Sequence, residues 1–402
     1  MTEPPARSGW LDAADAAVLV AALALASWLA LKKRSRRGIA ALMILTILYF
    51  GFWRQGCICP IGAIGSVTLG RFAASYAIPL IAGAFFFLPI VFTLFWGRSF
   101  CGGVCPLGAV QDVVLLRPVR IPAWLETSLR LFAWLYLSLA ILYAATASAF
   151  IICRYDPFIA FFRLSANPAM WAVSIGMLVL AMFVGRPYCR FLCPLGVILR
   201  QASRLSRHPV TITPDECINC RLCEDACPYG AIEKPTVEWA RSEHDKGRKR
   251  LLVYFLLLPA AIAAGATLGW VVHPKLAAID PTVVIAREVR QWQSGRLPQT
   301  SDIIKAFQNS GQSSERLFEQ ANAKRHQFAV GSTLVGGWMG FVAIGSLITS
   351  SIFARRSGYQ PHRGGCLSCG RCFDSCPRHR LSQKPNKHTQ PSIQVEEQPI
   401  GS

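Results

Sequence analysis

Long apolar blocks separated by short polar stretches dominate the pattern along this chain. Seven of them, at approximately 13–31, 38–53, 74–96, 131–152, 168–184, 251–272 and 328–353, reach or approach the ~20 helical residues needed to cross a hydrocarbon core. The pattern predicts an all-α integral membrane protein with about seven transmembrane helices. Asp12 and Asp15 flank the first block on one side and a basic cluster follows it, so it reads as a retained helix and not as a signal peptide. Gly336, Gly340 and Gly345 in the last block predict close helix packing.

Composition agrees with the pattern. Of the 402 residues, 52% are hydrophobic and only 16% charged, too apolar for a soluble globular or a disordered chain. The net charge of +20 could serve nucleic acid or a membrane, and the apolar blocks select the membrane. The basic residues are unevenly spread. Segments 32–37, 97–130, 185–250 and 354–402 hold 29 of the 42 Lys and Arg. By the positive-inside rule these segments are cytoplasmic and the N-terminus lies outside, in a bacterial inner membrane. The expected organisation is a membrane domain at 1–200 and a first cytoplasmic cysteine-rich segment at 201–250. Two spans with an external loop at 273–327 then occupy 251–353, a second cysteine-rich segment 354–380 and a disordered tail 381–402.

The fifteen cysteines carry the chemistry. Cys217, Cys220, Cys223 and Cys227, followed by Pro228, have the spacing of a bacterial cluster-binding run; Cys366, Cys369, Cys372 and Cys376, followed by Pro377, repeat it. Such spacing points three thiolates at three corners of one cubane, and in two-cluster ferredoxins the fourth cysteine serves the other cluster. The expectation is therefore two 4Fe–4S clusters, one on Cys217, Cys220, Cys223 and Cys376, the other on Cys366, Cys369, Cys372 and Cys227. Zinc sites and disulfide frameworks do not carry this spacing twice. Two spans lie between the runs and return the chain to its starting side, so a split, ferredoxin-like module can close in the cytoplasm.

A second cysteine pattern lies among the spans. Cys57-Ile58-Cys59-Pro60, Cys101-x3-Cys105-Pro106 and Cys189-x3-Cys193-Pro194 each continue into Gly-containing sequence, and Arg98 and Arg186 precede the latter two. Proline suits the first turn of a helix, so each element reads as a turn entering a helix with thiols at its mouth. Cys101, Cys105, Cys189 and Cys193 fall on one face and form a candidate additional metal or redox site, with Arg98 and Arg186 offsetting its negative charge. Cys57, Cys59 and Cys153 fall on the other face as a weaker candidate site. The competing reading of both sets is cysteine as a small buried hydrophobe, or a disulfide for the outer three. His273 and His326 flank the outer ends of the last two spans, where a haem or quinone role competes with plain solvation. The sequence contains no haem-attachment, P-loop, zinc-protease or dinucleotide motif.

These residues carry a resemblance. The two ferredoxin runs, the Cys101/Cys105 and Cys189/Cys193 elements and the Tyr155-Asp156-Pro157-Phe158 stretch are similar to membrane iron–sulfur proteins of the NosR/NirI and NapH group, over roughly residues 38–380. The resemblance implies electron transfer between cytoplasmic donors or the quinone pool and a periplasmic redox partner, flavin- or metal-containing, in anaerobic respiration. NosR carries a periplasmic flavin domain ahead of its membrane part. About a dozen residues precede the first span here, so no flavin site is expected in this chain. The first element is also Cys-x-Cys-Pro where the family has Cys-x3-Cys-Pro. The expected role is an electron-transfer component embedded in lipid, without substrate chemistry of its own and without a nucleic-acid partner. An accessory role in maturation or redox maintenance of a respiratory metalloenzyme is the alternative; a redox sensor would need a helix-turn-helix or kinase signature that the sequence does not contain.

Overall fold

The computed structural model describes residues 9–54, 60–73, 76–164, 167–212, 217–236, 241–296, 302–352, 356 and 358–377. The chain is helical nearly throughout. Helix α1 (Gly9–Leu31) turns at a basic corner into α2 (Arg36–Thr46), whose N-cap Ser35 accepts a hydrogen bond from the Gly38 amide at 3.2 Å. A π-helical stretch, Ile47–Trp53, prolongs α2 into one apolar rod. Helices α3 (Pro60–Phe72), α4 (Leu80–Trp96), α5 (Pro106–Val113) and α6 (Ala123–Ala145) follow, with a second π-helical turn at Phe100–Val104. Next come α7 (Ile151–Tyr155), α8 (Pro157–Arg163), α9 (Pro168–Phe183), α10 (Pro187–Phe191) and α11 (Pro194–Arg204). Proline opens most of these helices because its missing N–H is an orphan donor there anyway and its φ is already helical. All three Cys-Pro elements follow this rule, since Pro60, Pro106 and Pro194 start α3, α5 and α11.

The remainder holds the split module and a helical hairpin. A short α12 (Leu222–Asp225) and β1 (Ile232–Glu233) precede the long α13 (Arg241–Ala277). Helices α14 (Pro281–Gln293) and α15 (Asp302–Asn309) lead to the long α16 (Ser314–Ser351), then β2 (Gln360–Pro361) and α17 (Arg371–Ser375). β1 and β2 pair antiparallel, Ile232 opposite Pro361 and Glu233 opposite Gln360, which joins the two cysteine-rich segments across the hairpin.

Among the described residues, five helices are long and apolar enough to cross a membrane: Gly9–Leu31, Arg36–Trp53, Ala123–Ala145, Gly247–Ala277 and Ser314–Ser351. The third and fifth expected spans form shorter apolar helices, 17 residues in α4 and 16 in α9. The fourth starts at Ala123, eight residues before its expected bound, because Glu126 and Arg130 in its first turns pair with each other. A charged first turn looks like loop in a hydropathy profile, and its ion pair lets the helix begin there. The tail after residue 380 lies outside the described residues.

The polar segments sort into two ends. At one end Arg34 donates to the Ile212 carbonyl (3.3 Å), Arg36 to the Cys369 carbonyl (3.1 Å), Arg98 to the Gly364 carbonyl (3.3 Å) and Ser203 to the Arg363 carbonyl (3.0 Å). These bonds join four segments that the charge bias assigns to one side. At the other end Tyr143 donates to the Leu276 carbonyl (2.8 Å) and Ser148 to Asp280 (2.5 Å). The main core lies between, built on Leu19, Leu23, Ile39, Tyr188, Leu195 and Leu199.

α13 and α16 pack so closely that a Cβ at Gly265 would strike the Gly336 carbonyl, one at Gly269 the Ser332 carbonyl and one at Gly340 the Ala261 carbonyl. Small residues let the two backbones touch, which stands in for the hydrophobic drive that lipid cannot supply. Gly336 and Gly340 fulfil the expected packing role. Gly345 does not, because a Cβ there meets nothing within 4 Å. Gly336→Leu therefore destabilises the hairpin by about 1–3 kcal/mol or more, whereas Gly345→Leu leaves it unchanged; thermal unfolding of the two variants in detergent measures the difference.

Candidate functional site

The two cysteine runs share a backbone path. Each places a left-handed residue between its first and second cysteine, Asn219 (φ 52°) and Ser368 (φ 54°), and another between its second and third, Arg221 (φ 64°) and Gly370 (φ 77°). These turns wrap the chain so that Cys217, Cys220 and Cys223 converge in one run and Cys366, Cys369 and Cys372 in the other. The short helices α12 and α17, which carry Cys223 and Cys372, pack on each other.

Charge interactions show which thiols are neighbours. Cys223 feels Cys217 and Cys220. Cys372 feels Cys366, Cys369 and Cys227, and only then Cys223. Cys227 thus lies within electrostatic reach of the second run. Cys376 is buried at the C-terminal cap of α17. Burial pushes the Cys366 thiol up to about 12 and the Cys223 thiol up to about 11, and adjacent thiols add to both. Such thiols ionise at neutral pH only when a positive centre takes their charge.

The second and third Cys-Pro elements meet beneath this module. Cys193 lies within electrostatic reach of Cys189, Cys105 and Cys101, so the four expected thiols form one set. Cys193 caps α11 and its Sγ accepts from the Gly196 amide at 3.3 Å. Gln111, fully buried, directs its amide at the Cys189 Sγ (3.5 Å) and its carbonyl oxygen at the Tyr188 amide (3.0 Å). Arg98 reaches the Cys101 Sγ at 3.6 Å. Cys189 and Cys193 line a cavity with Arg98, Arg130, Arg190 and Arg200, against which Glu126 is the single carboxylate. Burial and the charges of Arg130 and Arg98 hold the Arg200 guanidinium well below its ordinary value. Around both thiol sets the Nε atoms of Arg98, Arg130, Arg186 and Arg371 are buried without a hydrogen-bond acceptor.

This arrangement fits iron–sulfur clusters. Thiol sulfurs supply the ligands, and buried guanidinium donors supply positive charge for an anionic cubane. No disulfide joins any described cysteine. Among the described residues no three Cys, His, Asp or Glu side chains close to single-ion distance; a cubane holds its thiolates apart at the corners of a larger body.

Two contacts went unread in the sequence. Gly102, inside the second element, packs its backbone against the Leu367 and Ser368 carbonyls, and Gly185 packs against the Pro228 carbonyl and the Tyr229 ring. The membrane thiols are thereby tucked under both ferredoxin loops. Asp112 was also missed. Buried on α5, it meets Arg36 at 2.7 Å, Arg371 at 3.3 Å and Arg186 at 3.6 Å and accepts from the Tyr229 hydroxyl. These guanidiniums hold its carboxyl well below the usual range against the opposing effect of burial. A lone Asp on an apolar helix face gives no signal of this in sequence.

Cys57 and Cys59 lie outside the described residues, and Cys153 is exposed on α7. His273 lines a cavity of about 360 Å³ with Arg287 and Arg325, and His326 is not part of that wall.

Comparison with known proteins bears on this geometry. A family described as a 4Fe-4S binding domain matches residues 78–122 and 166–212, which contain the second and third Cys-Pro elements. Two further 4Fe-4S binding domains match residues 210–233 and 363–379. The regulatory protein NosR of Stutzerimonas stutzeri is 26% identical over 50% of this chain and 29% of its own length. Protein NirI of Paracoccus denitrificans is 30% identical over 35% of this chain and 22% of its own. The chain is NosR/NirI-like, a membrane protein of the ferredoxin type. YccM of Escherichia coli, which its name assigns provisionally to electron transport, is 26% identical over 35% of this chain and 43% of its own length. The chain thus spans less than half the length of each of these relatives. No solved structure matches it. The 4Fe-4S binding domains are what the comparisons show of this chain itself; regulation and electron transport are what the names of NosR and YccM say of those proteins.

Arg221 holds a left-handed backbone position that its counterpart fills with Gly370. An L side chain there costs about 1 kcal/mol. Arg221→Gly therefore raises the stability of the cysteine-rich module by about that amount, and a thermal shift read on cluster absorbance under anaerobic conditions checks it.

Proposed function

We propose that this protein is an electron relay with three 4Fe–4S clusters at the cytoplasmic face of a bacterial inner membrane. Cys217, Cys220, Cys223 and Cys376 hold one cluster, and Cys366, Cys369, Cys372 and Cys227 the second. Cys101, Cys105, Cys189 and Cys193 hold the third. Bound clusters supply one-electron storage at potentials set by charge, hydrogen bonding and exposure. The chain's own residues bind and orient them, exclude water and present positive charge. The reading rests above all on the contact of the membrane elements with the ferredoxin loops, Gly102 on Leu367 and Gly185 on Pro228, which leaves no room for a side chain between them. A relay needs such contact; a ferredoxin merely anchored to lipid does not.

Electrons then pass between a cytoplasmic or quinol donor and a periplasmic flavin- or metal-containing partner, with the N-terminus outside and no separate substrate chemistry. The excess of Lys and Arg in the segments that meet at the module's end supports this orientation. The name of NosR, a regulatory protein, is the observation behind a second reading, in which the chain is an accessory protein to a respiratory metalloenzyme.

Anaerobic purification with iron and sulfide analysis and EPR tests the proposal. Wild type should contain about twelve iron atoms per chain, four for each of three cubanes. Cys189→Ser should lose about four of them and block transfer to an external acceptor in membranes, while the ferredoxin signals persist. Full iron and undiminished transfer in Cys189→Ser would reduce the protein to an anchored ferredoxin.

The orientation has its own check. Single cysteines introduced between residues 282 and 293, in a background where the native thiols are ligated or blocked, should label with an impermeant reagent from the periplasm, and cysteines introduced at residues 232–236 should not.

A further inference from the structure

Arg186 stands where the membrane elements and the two ferredoxin loops meet. It is fully buried, the largest such side chain among the described residues. It belongs to the third Cys-Pro element, three residues before Cys189. One guanidinium nitrogen donates to the Cys101 carbonyl, and the other lies 3.4 Å from the Gly102 carbonyl and 3.4 Å from the Met43 sulfur. The Nε faces Asp112 at 3.6 Å, and the cation lies 5.7 Å from the centre of the Tyr229 ring, two residues beyond Cys227. Its charge acts on Cys189 in the membrane set and on Cys369 in the second ferredoxin run. Asp112 carries the connection further. It binds Arg371, which lies between Cys369 and Cys372, and Arg36, which donates to the Cys369 carbonyl at 3.1 Å.

The backbone adds an independent observation. Arg186 has φ 50°, a left-handed conformation that costs an L residue about 1 kcal/mol or more. A glycine would adopt this turn at no such cost. The strain persists because the side chain is held from every side. Arg98, its counterpart in the second element, does different work: it reaches one thiol and the Gly364 carbonyl, and no carboxylate.

We infer that Arg186 is a positioning residue that docks the membrane thiol set onto the Cys366–Cys372 set, and that its charge is shared between those two sets and not with the Cys217–Cys223 set. This rests on the proposed clusters. Positive charge near a cluster favours the reduced form and raises the potential. Removing it should lower two of the three potentials.

EPR-monitored redox titration of the full chain, prepared anaerobically, tests this on wild type, Arg186→Gln and Arg186→Lys. In Arg186→Gln the iron content should stay at the wild-type level. The potentials of the membrane cluster and the Cys366–Cys372 cluster should fall, and that of the Cys217–Cys223 cluster should not move. Arg186→Lys should recover most of the fall, since it restores charge without the fork. If Arg186→Gln does not fold, Asp112→Asn carries the test: loss of the carboxylate should raise the same two potentials and spare the third. Full iron with all potentials unmoved, or with all three moved alike, overturns the inference and leaves the cluster proposal standing. Wild-type protein without iron at Cys101, Cys105, Cys189 and Cys193 overturns both.

Discussion

Buried positive charge is the constraint from which the cysteine-bearing end is built. Arg98 and Arg186 are buried, Arg200 is held below its ordinary pKa by burial and like charge, and Arg130 and Arg190 crowd the same cavity. Two carboxylates, Asp112 and Glu126, answer for all of them. Taking a guanidinium out of water costs several kcal/mol even after relaxation, and an unmatched one is not tolerated in a folded core. Among the described residues, the thiols that the arginines surround are the groups placed to supply the missing negative charge. Thiols held protonated by burial cannot supply it. Thiolates shared with iron can, and a cubane with four thiolate ligands is anionic as a whole. Ligation and arginine burial are thus two halves of one balance, and each makes the other affordable.

The split module raises a different problem. Ile232 pairs with Pro361 across the whole hairpin, so the two halves of one cluster-binding unit must find each other over a long loop. Closing a flexible loop costs entropy that grows slowly with length. Here most of the loop is not flexible. α13 and α16 lie backbone to backbone along Gly265, Gly269, Gly336 and Gly340, which holds the two ends side by side. The hairpin replaces the short linker of an ordinary ferredoxin, and its glycines do for register what a tight turn does elsewhere. It also ties the module to lipid, because the outer face of α13 is bare along its apolar length.

Different parts of this were legible for different physical reasons. The ferredoxin runs could be read because ligand geometry imposes spacing within a few residues of chain. The long spans could be read because hydrocarbon thickness imposes length. The start of α6 could not, since charges that look exposed in sequence are paired with each other in space. α4 also fell short of its expected length, because apolar composition reports burial in lipid or protein alike, whereas α9 matches its expected bounds to within one residue. Gly265 and Gly269 carry the same signal as Gly336 and Gly340 but sit in a helix whose partner was unknown. Asp112, Gly102 and Gly185 act only through residues far away in the chain, and no local pattern marks them.

The three Cys-Pro elements share a helix start, and the charges described near each set the second and third apart. The second and third end against the ferredoxin loops, where Gly102 and Gly185 allow contact and Arg98 and Arg186 bring charge. The first opens α3, which packs between α4 and α6, and no Gly-Arg pair precedes its cysteines. Near its end of the molecule the buried ion pair is Arg54 with Asp15, and Asp15 also accepts from Tyr49 at 2.9 Å. Arg54 and Asp15 balance one to one, whereas Arg186 shares Asp112 with Arg36 and Arg371 and keeps charge to spare. A cluster at the first element would have to find its compensation in another group, whereas the second and third have it built in. The same helix-opening turn therefore gives a strong candidate site in two places and a weak one in the third, and the arginines make the distinction.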